Sequence, residues 1–156
     1  MEKFNPENYP KRKKEYTEPV AVNFVNGAYM FFRTKVFAEV GGFDTSIFLY
    51  FEEMDICYRL LKKGYKSVLF PEAKITHYQG VSTGVSKLIK KEAFISYLYV
   101  TRKNYSLLKF LSIYAYYSFT FLFKPKKWYL LSLVLQGGSL KKSLRHKQQL
   151  NFNILF

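Results

Sequence analysis

Carboxylates are scarce in this chain. Eleven acids stand against twenty-five lysines and arginines, a formal net charge of +14 over 156 residues, and none follows Glu92, so every charged side chain in residues 93–156 is basic. Cysteine is scarcer still: Cys57 stands alone. That excludes an internal disulfide and a cysteine-rich metal site, and makes a reducing, cytoplasmic setting the expectation. Two histidines beside one cysteine cannot close a zinc site either. The opening residues, MEKFNPENYPKRKKEY, lack the apolar core of a signal peptide, so the mature protein is expected to begin where this sequence does. Long apolar runs are also lacking. FLSIYAYYSFTFLF, residues 110–123, is uncharged over fourteen positions, but as a helix it would reach only about 21 Å against a hydrocarbon core of roughly 30 Å, which argues against a membrane crossing. No internal repeat or low-complexity tract stands out.

What the chain does hold is apolar and aromatic. Hydrophobic residues make up 49% and aromatics 20%, with fourteen Tyr and sixteen Phe, too apolar for a disordered chain and enough for one folded domain. Aromatic excess with a pI near 9.7 fits two surfaces: a nucleic-acid face, where bases stack on rings between basic residues, and a membrane face, where Tyr and Trp sit among headgroups and Lys meets anionic lipid. Composition leaves both open.

Along the chain, residues 1–19 read as an extended basic arm, broken by Pro6, Pro10 and Pro19 and carrying the Lys11–Lys14 cluster. VAVNFVNGAYMFFR (20–33) reads as a strand, a turn at Asn26-Gly27, and a second strand or short helix. TKVFAEVGG then predicts a short helix capped by Thr34, with Val36, Phe37 and Val40 on one face and Gly41-Gly42 ending it. Met54, Ile56, Cys57, Leu60 and Leu61 recur at helical spacing, with Lys62-Lys63 and Gly64 as a terminus. YKSVLFP and AKITHYQ suggest two short strands, the second delivering His77. Residues 86–105 predict a helix with basic and aromatic faces. Lys109, Lys124, Lys126 and Lys127 bracket the uncharged segment and Trp128-Tyr129 follow it, a pattern that fits an interfacial or re-entrant segment as well as a helix pair packed on the domain's own core.

The densest concentration of chemistry is FLYFEEMDICYRL, residues 48–60. It holds Glu52, Glu53 and Asp55 within four positions, directly after Phe48, Tyr50 and Phe51. Acids in a helix's first turn are favoured by its dipole by about 0.3 to 1 kcal/mol each, which accounts for one or two of them. The aromatic run would hold at least one carboxylate in partly dry surroundings, a setting suited to a general base. At a helix start, Glu52 and Asp55 are expected to share a face while Glu53 points elsewhere. His77 precedes the Gly80–Gly84 loop, where a side chain meets ligand rather than core. A structural hydrogen-bonding role and a place beside a hard cation held by oxygens both stay open for it.

Taken in order, VNGAYMFFRTKVFAEVGGFD (25–44) and FLYFEEMDICYRLLKKGYKSVLFPEAKITHYQGVST (48–83) resemble the second half of the catalytic domain of family 2 glycosyltransferases. Within that family they are most similar to the rhamnosyltransferase-like and galactofuranosyltransferase-like enzymes of bacterial cell-surface polysaccharide synthesis. The resemblance spans about residues 22–84. It implies an α/β, partial GT-A-like fold lacking the N-terminal nucleotide-binding half, followed by a helical C-terminal extension. The implied divisions are a basic arm (1–19), an acceptor-side half (20–85) and a basic aromatic tail that docks on the cytoplasmic face of a membrane (86–156). It further implies an inverting transfer in which Glu53, with Glu52 beside it, takes the acceptor's proton, and in which Asp55 and Arg59 support the helix. Asn26, Gly27 and the Gly42-Phe43-Asp44 turn would line the acceptor pocket, and His77 would complete the coordination of a divalent cation, Mg or Mn. The implied partners are a nucleotide sugar donor, a lipid-linked glycan acceptor and an anionic membrane surface.

One departure is large. No Asp-x-Asp motif occurs at any position and no Asp precedes Asp44, so the main metal carboxylates of that family are missing; either a separate chain carries the nucleotide-binding half, or this sequence is a truncated product or fragment. The parallel sheet of the fold, cut this way, would leave an unpaired edge. Two other readings stand beside the enzyme: a non-catalytic membrane-binding or scaffolding remnant, and a basic nucleic-acid-binding module. The latter is disfavoured because the basic segments bracket apolar runs and no aromatic-basic binding motif is recognisable.

Overall fold

The helix that organises the first part of the molecule is α2, Glu52–Lys62. The computed structural model describes residues 15–78 and 86–146. In α2 the spacing of apolar residues places Met54, Ile56, Cys57 and Leu60 in the interior, while Leu61, the last in the pattern, stays exposed. The helix stops where Gly64 takes φ 85°. The Gly64 N–H donates to Leu61 O and the Tyr65 N–H to Leu60 O, each at 3.0 Å, so that the two orphan carbonyls are satisfied by a Schellman turn.

A shorter helix, α1, Thr34–Glu39, ends in the same way. Gly41 and Gly42 have φ 79° and 66°, and their N–H groups donate to Ala38 O and Phe37 O, each at 2.9 Å. The Gly-Gly pair is thus a helix stop with a physical requirement for glycine. Thr34 is not the cap; Arg33 occupies that position and no side chain caps the helix. Val36, Phe37 and Val40 pack against Ile56, Cys57 and Leu60 together with Val25, Met30, Phe32 and Tyr65.

Strands β1, Val20–Val22, and β2, Ser67–Leu69, pair antiparallel with Val20 opposite Leu69 and Val22 opposite Ser67. The parallel arrangement expected from the sequence is not what these residues form: the described sheet has two strands. Neither 28–33 nor 73–78 is regular. Met30 and Phe32 point into the core while Tyr29 and Phe31 are exposed, but 28–33 pair with no strand among the described residues, and 73–78 are exposed throughout and lack the half-buried surface that suits a strand. These elements belong to one compact unit, Met1–Asp44 with Glu52–Gln79; Thr45–Phe51 with Gly80–Phe156 form a second.

The second unit is helical. Ser86 caps α3, Lys87–Asn104, accepting from the Ile89 N–H at 3.2 Å, and Ser106 caps α4, Leu107–Leu122. After a 3-10 turn at Pro125–Lys127, α5 runs Trp128–Val134. Ile95, Phe121, Leu130, Leu133 and Val134 form its core, with Phe94, Tyr114 and Tyr117 against it. Residues 86–146 therefore have an apolar centre of their own, as the packed-helix alternative requires. Burial, with Tyr117 beside it, pushes the Tyr97 phenol well above its usual range.

Glu92, the last acid in the chain, is buried on α3. It accepts from Ser143 Oγ at 2.6 Å and the Leu144 N–H at 2.8 Å, clasping the segment that follows α5. A second clasp uses glycine. Arg102 donates to Gly137 O at 2.7 Å, and Gly138, at φ 79°, sits so close to α3 that a Cβ there would lie 2.9 Å from Leu98 O.

Gly138→Ala should accordingly lower stability by about 2 to 4 kcal/mol, from left-handed backbone strain plus overpacking. Chemical denaturation of the two proteins checks this, and a change below about 0.5 kcal/mol, the scale of a neutral surface substitution, would contradict it.

Candidate active site

The chain enters α2 through strained backbone. Tyr50 and Phe51 are the described non-glycine residues with positive φ, at 64° and 68°. Such conformations cost roughly 1 to 3 kcal/mol each and cluster at functional sites. They deliver Glu52, Glu53 and Asp55 into the first helical turn.

The three acids separate from there. Asp55 is fully buried and accepts from Arg59 Nε at 2.8 Å. The same guanidinium donates through Nη1 to Val40 O and through Nη2, at 2.6 Å, to Gly42 O. Both acceptors lie at the C-terminal end of α1, where carbonyls lack helical partners. Arg59 is thus shared between the buried carboxylate and the turn that begins Gly42-Phe43-Asp44.

Glu52 and Glu53 turn instead toward Gly27. A Cβ placed on Gly27 would lie 3.4 Å from Glu52 Oε1 and 3.6 Å from Glu53 Oε2. The expected pairing of faces is therefore corrected: the two glutamates share a neighbour and Asp55 faces away from them. Adjacent residues are only about 100° apart on a helix of 3.6 residues per turn, and glutamate is long enough to bend across that angle, while the shorter aspartate is held by its arginine. Glu52 Oε2 is buried and accepts no hydrogen bond from the described residues, an arrangement that is costly unless a donor arrives.

Gly27 has an ordinary φ, so it is the space beside the carboxylates that its lack of a side chain keeps open. Asn26 builds the turn that presents it: Asn26 Oδ1 accepts from the Ala28 N–H at 2.9 Å and Asn26 O from the Tyr29 N–H at 3.3 Å. Gly27 is also at the edge of a depression of about 470 Å³ lined by Tyr29, Phe31, Phe32, Phe37 and Phe43 among others. Phe32, Phe37 and Phe43 meet edge to face or tilted, with centroids 5.0 to 5.8 Å apart. Phe43 thus lies with Gly27 at one site. Tyr29 and Phe31 also contribute to the ring wall; their only signal in the sequence is the AYMFFR run, whose pattern predicts a buried strand or short helix.

On the other side of α1, Tyr65 Oη donates to Glu39 Oε2 at 2.7 Å and Lys63 Nζ to Oε1 at 3.2 Å. Tyr65 chiefly, then Lys63, holds the Glu39 carboxyl below its usual value. His77 is exposed on a stretch without regular structure. Among the described residues no group of three or more His, Cys, Asp or Glu side chains could hold a metal ion.

The first unit thus sets an acidic helix start beside an aromatic depression. The model of glycosyl transferase family group 2 matches residues 14–140, and the chain belongs to that family. It is 38% identical over 74 residues to the N-acetylglucosaminyl-diphospho-decaprenol L-rhamnosyltransferase of Mycobacterium tuberculosis, in strain CDC 1551 / Oshkosh and equally in strain ATCC 25618 / H37Rv. The match covers 46% of this chain and 24% of each relative, so the aligned part is about a quarter of the relatives' length. No solved structure matches the chain. The family generally uses a divalent cation; the described residues, with His77 exposed and no carboxylate group assembled around it, do not by themselves fit one.

Arg59→Ala should destabilise the fold by about 3 to 5 kcal/mol, because Asp55 is left buried without its counter-charge. Arg59→Lys should fall between it and the parent protein, since an ammonium keeps the charge and loses the planar fork. Thermal melts of the three proteins read this directly, and an alanine variant that melts with the parent would sink it.

Proposed function

We propose that this chain supplies the acceptor side of a GT-A-like glycosyltransferase that moves a hexose from a nucleotide sugar onto a lipid-linked glycan, at the cytoplasmic face of a membrane. One observation carries the proposal: Glu52 and Glu53 meet Gly27 at the rim of an aromatic depression in a chain of this transferase family. Support for rhamnose as the sugar, and for a polyprenol-linked acceptor, comes from the names of the two mycobacterial relatives.

The chemistry follows from the residue types. A sugar hydroxyl is a weak acid, so a carboxylate must accept its proton as its oxygen bonds to the anomeric carbon. In the same step the bond from that carbon to the donor's diphosphate breaks, and the electron pair departs with the phosphate. Attack from the opposite face inverts the anomeric centre. Glu53 is assigned as the proton acceptor, and Glu52, with its unmatched buried oxygen, as the group that orients the incoming hydroxyl. Aromatic rings suit the apolar face of a sugar, and Gly27 leaves room for the hydroxyl beside the acids. Asn26 shapes that turn, Asp44 continues the Gly42-Phe43 turn, and Asp55 acts through Arg59 as a positioning residue.

The donor's nucleotide is assigned to protein outside these residues, because no Asp-x-Asp motif occurs in them. The purified chain alone should therefore turn over little or no nucleotide sugar; robust transfer without added protein would refute the divided site. In the assembly that restores turnover, Glu53→Gln should lower kcat by about 10²- to 10⁴-fold with little change in melting temperature. A helix-start charge would cost only about 0.3 to 1 kcal/mol of stability. Near-parental turnover by the glutamine variant would favour the non-catalytic reading of the acidic turn.

A further inference from the structure

The outward side of α4 has the wrong chemistry for water. Its inward residues, Phe110, Tyr114, Tyr117 and Phe121, are buried or partly buried, and all but Phe110 belong to the core around Val134. The opposite side carries Leu108, Leu111, Ala115, Phe119 and Leu122, spaced three or four apart and all exposed, Leu108 by 79% and Phe119 by 68%. Lys109 is the one charge on this helix. A helix that meets water normally places charged residues there, and one that is apolar all round normally has a partner on every side.

The surroundings identify the partner. Past the helix end, Phe123 is 67% exposed, and Lys124, Lys126 and Lys127 follow, all exposed. Trp128 is exposed, with its indole N–H given to Leu122 O at 3.1 Å. Lys109 lies over the Tyr105 ring, 4.3 Å from its centroid, at the other end. Residues 93–156 hold no acid, and Glu92 is buried in its clasp. The surface is therefore an apolar stripe with basic ends and no negative charge to balance them. A second copy of the chain would bring lysine against lysine. An anionic bilayer offers acyl chains to the stripe and phosphates to the lysines, and Trp at its boundary. Among the described residues no helix is long and apolar enough to cross a membrane; α4, at sixteen residues, reaches about 24 Å.

We propose that α4 lies in the plane of an anionic membrane surface, with Leu108, Leu111, Phe119, Leu122 and Phe123 in the headgroup–acyl boundary and Lys124, Lys126 and Lys127 on lipid phosphates. This deepens the membrane-side part of the function proposed above, and vesicle binding measures it without any transfer chemistry, so the two fail separately.

Trp128 is the single tryptophan and reports on the site. The full chain is titrated with vesicles of phosphatidylcholine alone and of phosphatidylcholine mixed with phosphatidylglycerol. The expected result is a blue shift of Trp128 emission, and its quenching by brominated acyl chains, on the anionic vesicles only, weakening as salt rises. Phe119→Asp, at an exposed site, should keep the parent's circular dichroism and melting temperature and weaken vesicle binding by about tenfold or more. The triple change of Lys124, Lys126 and Lys127 to Gln should remove the preference for anionic lipid. The proposal is overturned by emission that does not respond to anionic vesicles, by equal binding to neutral ones, or by Phe119→Asp binding like the parent. It is also overturned if the lipid-free chain sediments as an oligomer that Phe119→Asp dissociates, which would make the stripe a contact between copies.

Discussion

The Arg59 guanidinium holds the first unit's chemistry in place. One planar group meets a fully buried carboxylate, Asp55, and two main-chain carbonyls, Val40 and Gly42, at the end of α1. An isolated buried carboxylate is among the most expensive groups a fold can carry, and helix-end carbonyls without partners are also costly. A single fork of donors answers both. Because it does so, the first turn of α2 docks with its aspartate inward, and the glycine turn after α1 is bound to the helix that bears the glutamates. Gly27, Glu52 and Glu53 depend on that docking for their spacing.

Within the acidic turn, three residues that look equivalent in the sequence have different environments. Asp55 is neutralised by its ion pair. Glu53 and Glu52 lean toward a residue that has no side chain, and one Glu52 oxygen is buried without a donor among the described residues. The strained Tyr50 and Phe51 backbone immediately upstream is consistent with a turn kept for what it presents rather than for its own stability.

The second unit shows the opposite use of charge. It takes the last acid inside to clasp its own C-terminal segment, and its surface is left basic around an uncharged helix face. The bracketed apolar segment was visible as such in the sequence, as were α2, α3, the Gly64 stop and the Gly41-Gly42 stop, each signalled by strong periodicity or by a glycine whose left-handed φ the chain needs. The parts that could not be read are those that depend on distant neighbours. Residues 73–78 had the composition of a strand but pair with none among the described residues, and the Tyr29 and Phe31 rings of the AYMFFR run became part of the wall of a depression instead of an element. Thr34 lost the cap to Arg33 because the turn before α1 starts the helix one residue earlier than the side-chain preference suggests.

By itself the sequence determined the membership of a transferase family, the crowding of acids at one helix start, the absence of an Asp-x-Asp pair and the one-sided basic character of the C-terminal half. These follow from local patterns and counts, which need no partner in space. Only the tertiary structure decided that Glu52 and Glu53 share Gly27 while Asp55 serves Arg59, and that one side of α4 is covered by α5 while the other is bare. Both depend on which distant segment reaches a given face first, and that is settled by packing and by the satisfaction of buried polar groups, quantities that no single stretch of sequence contains.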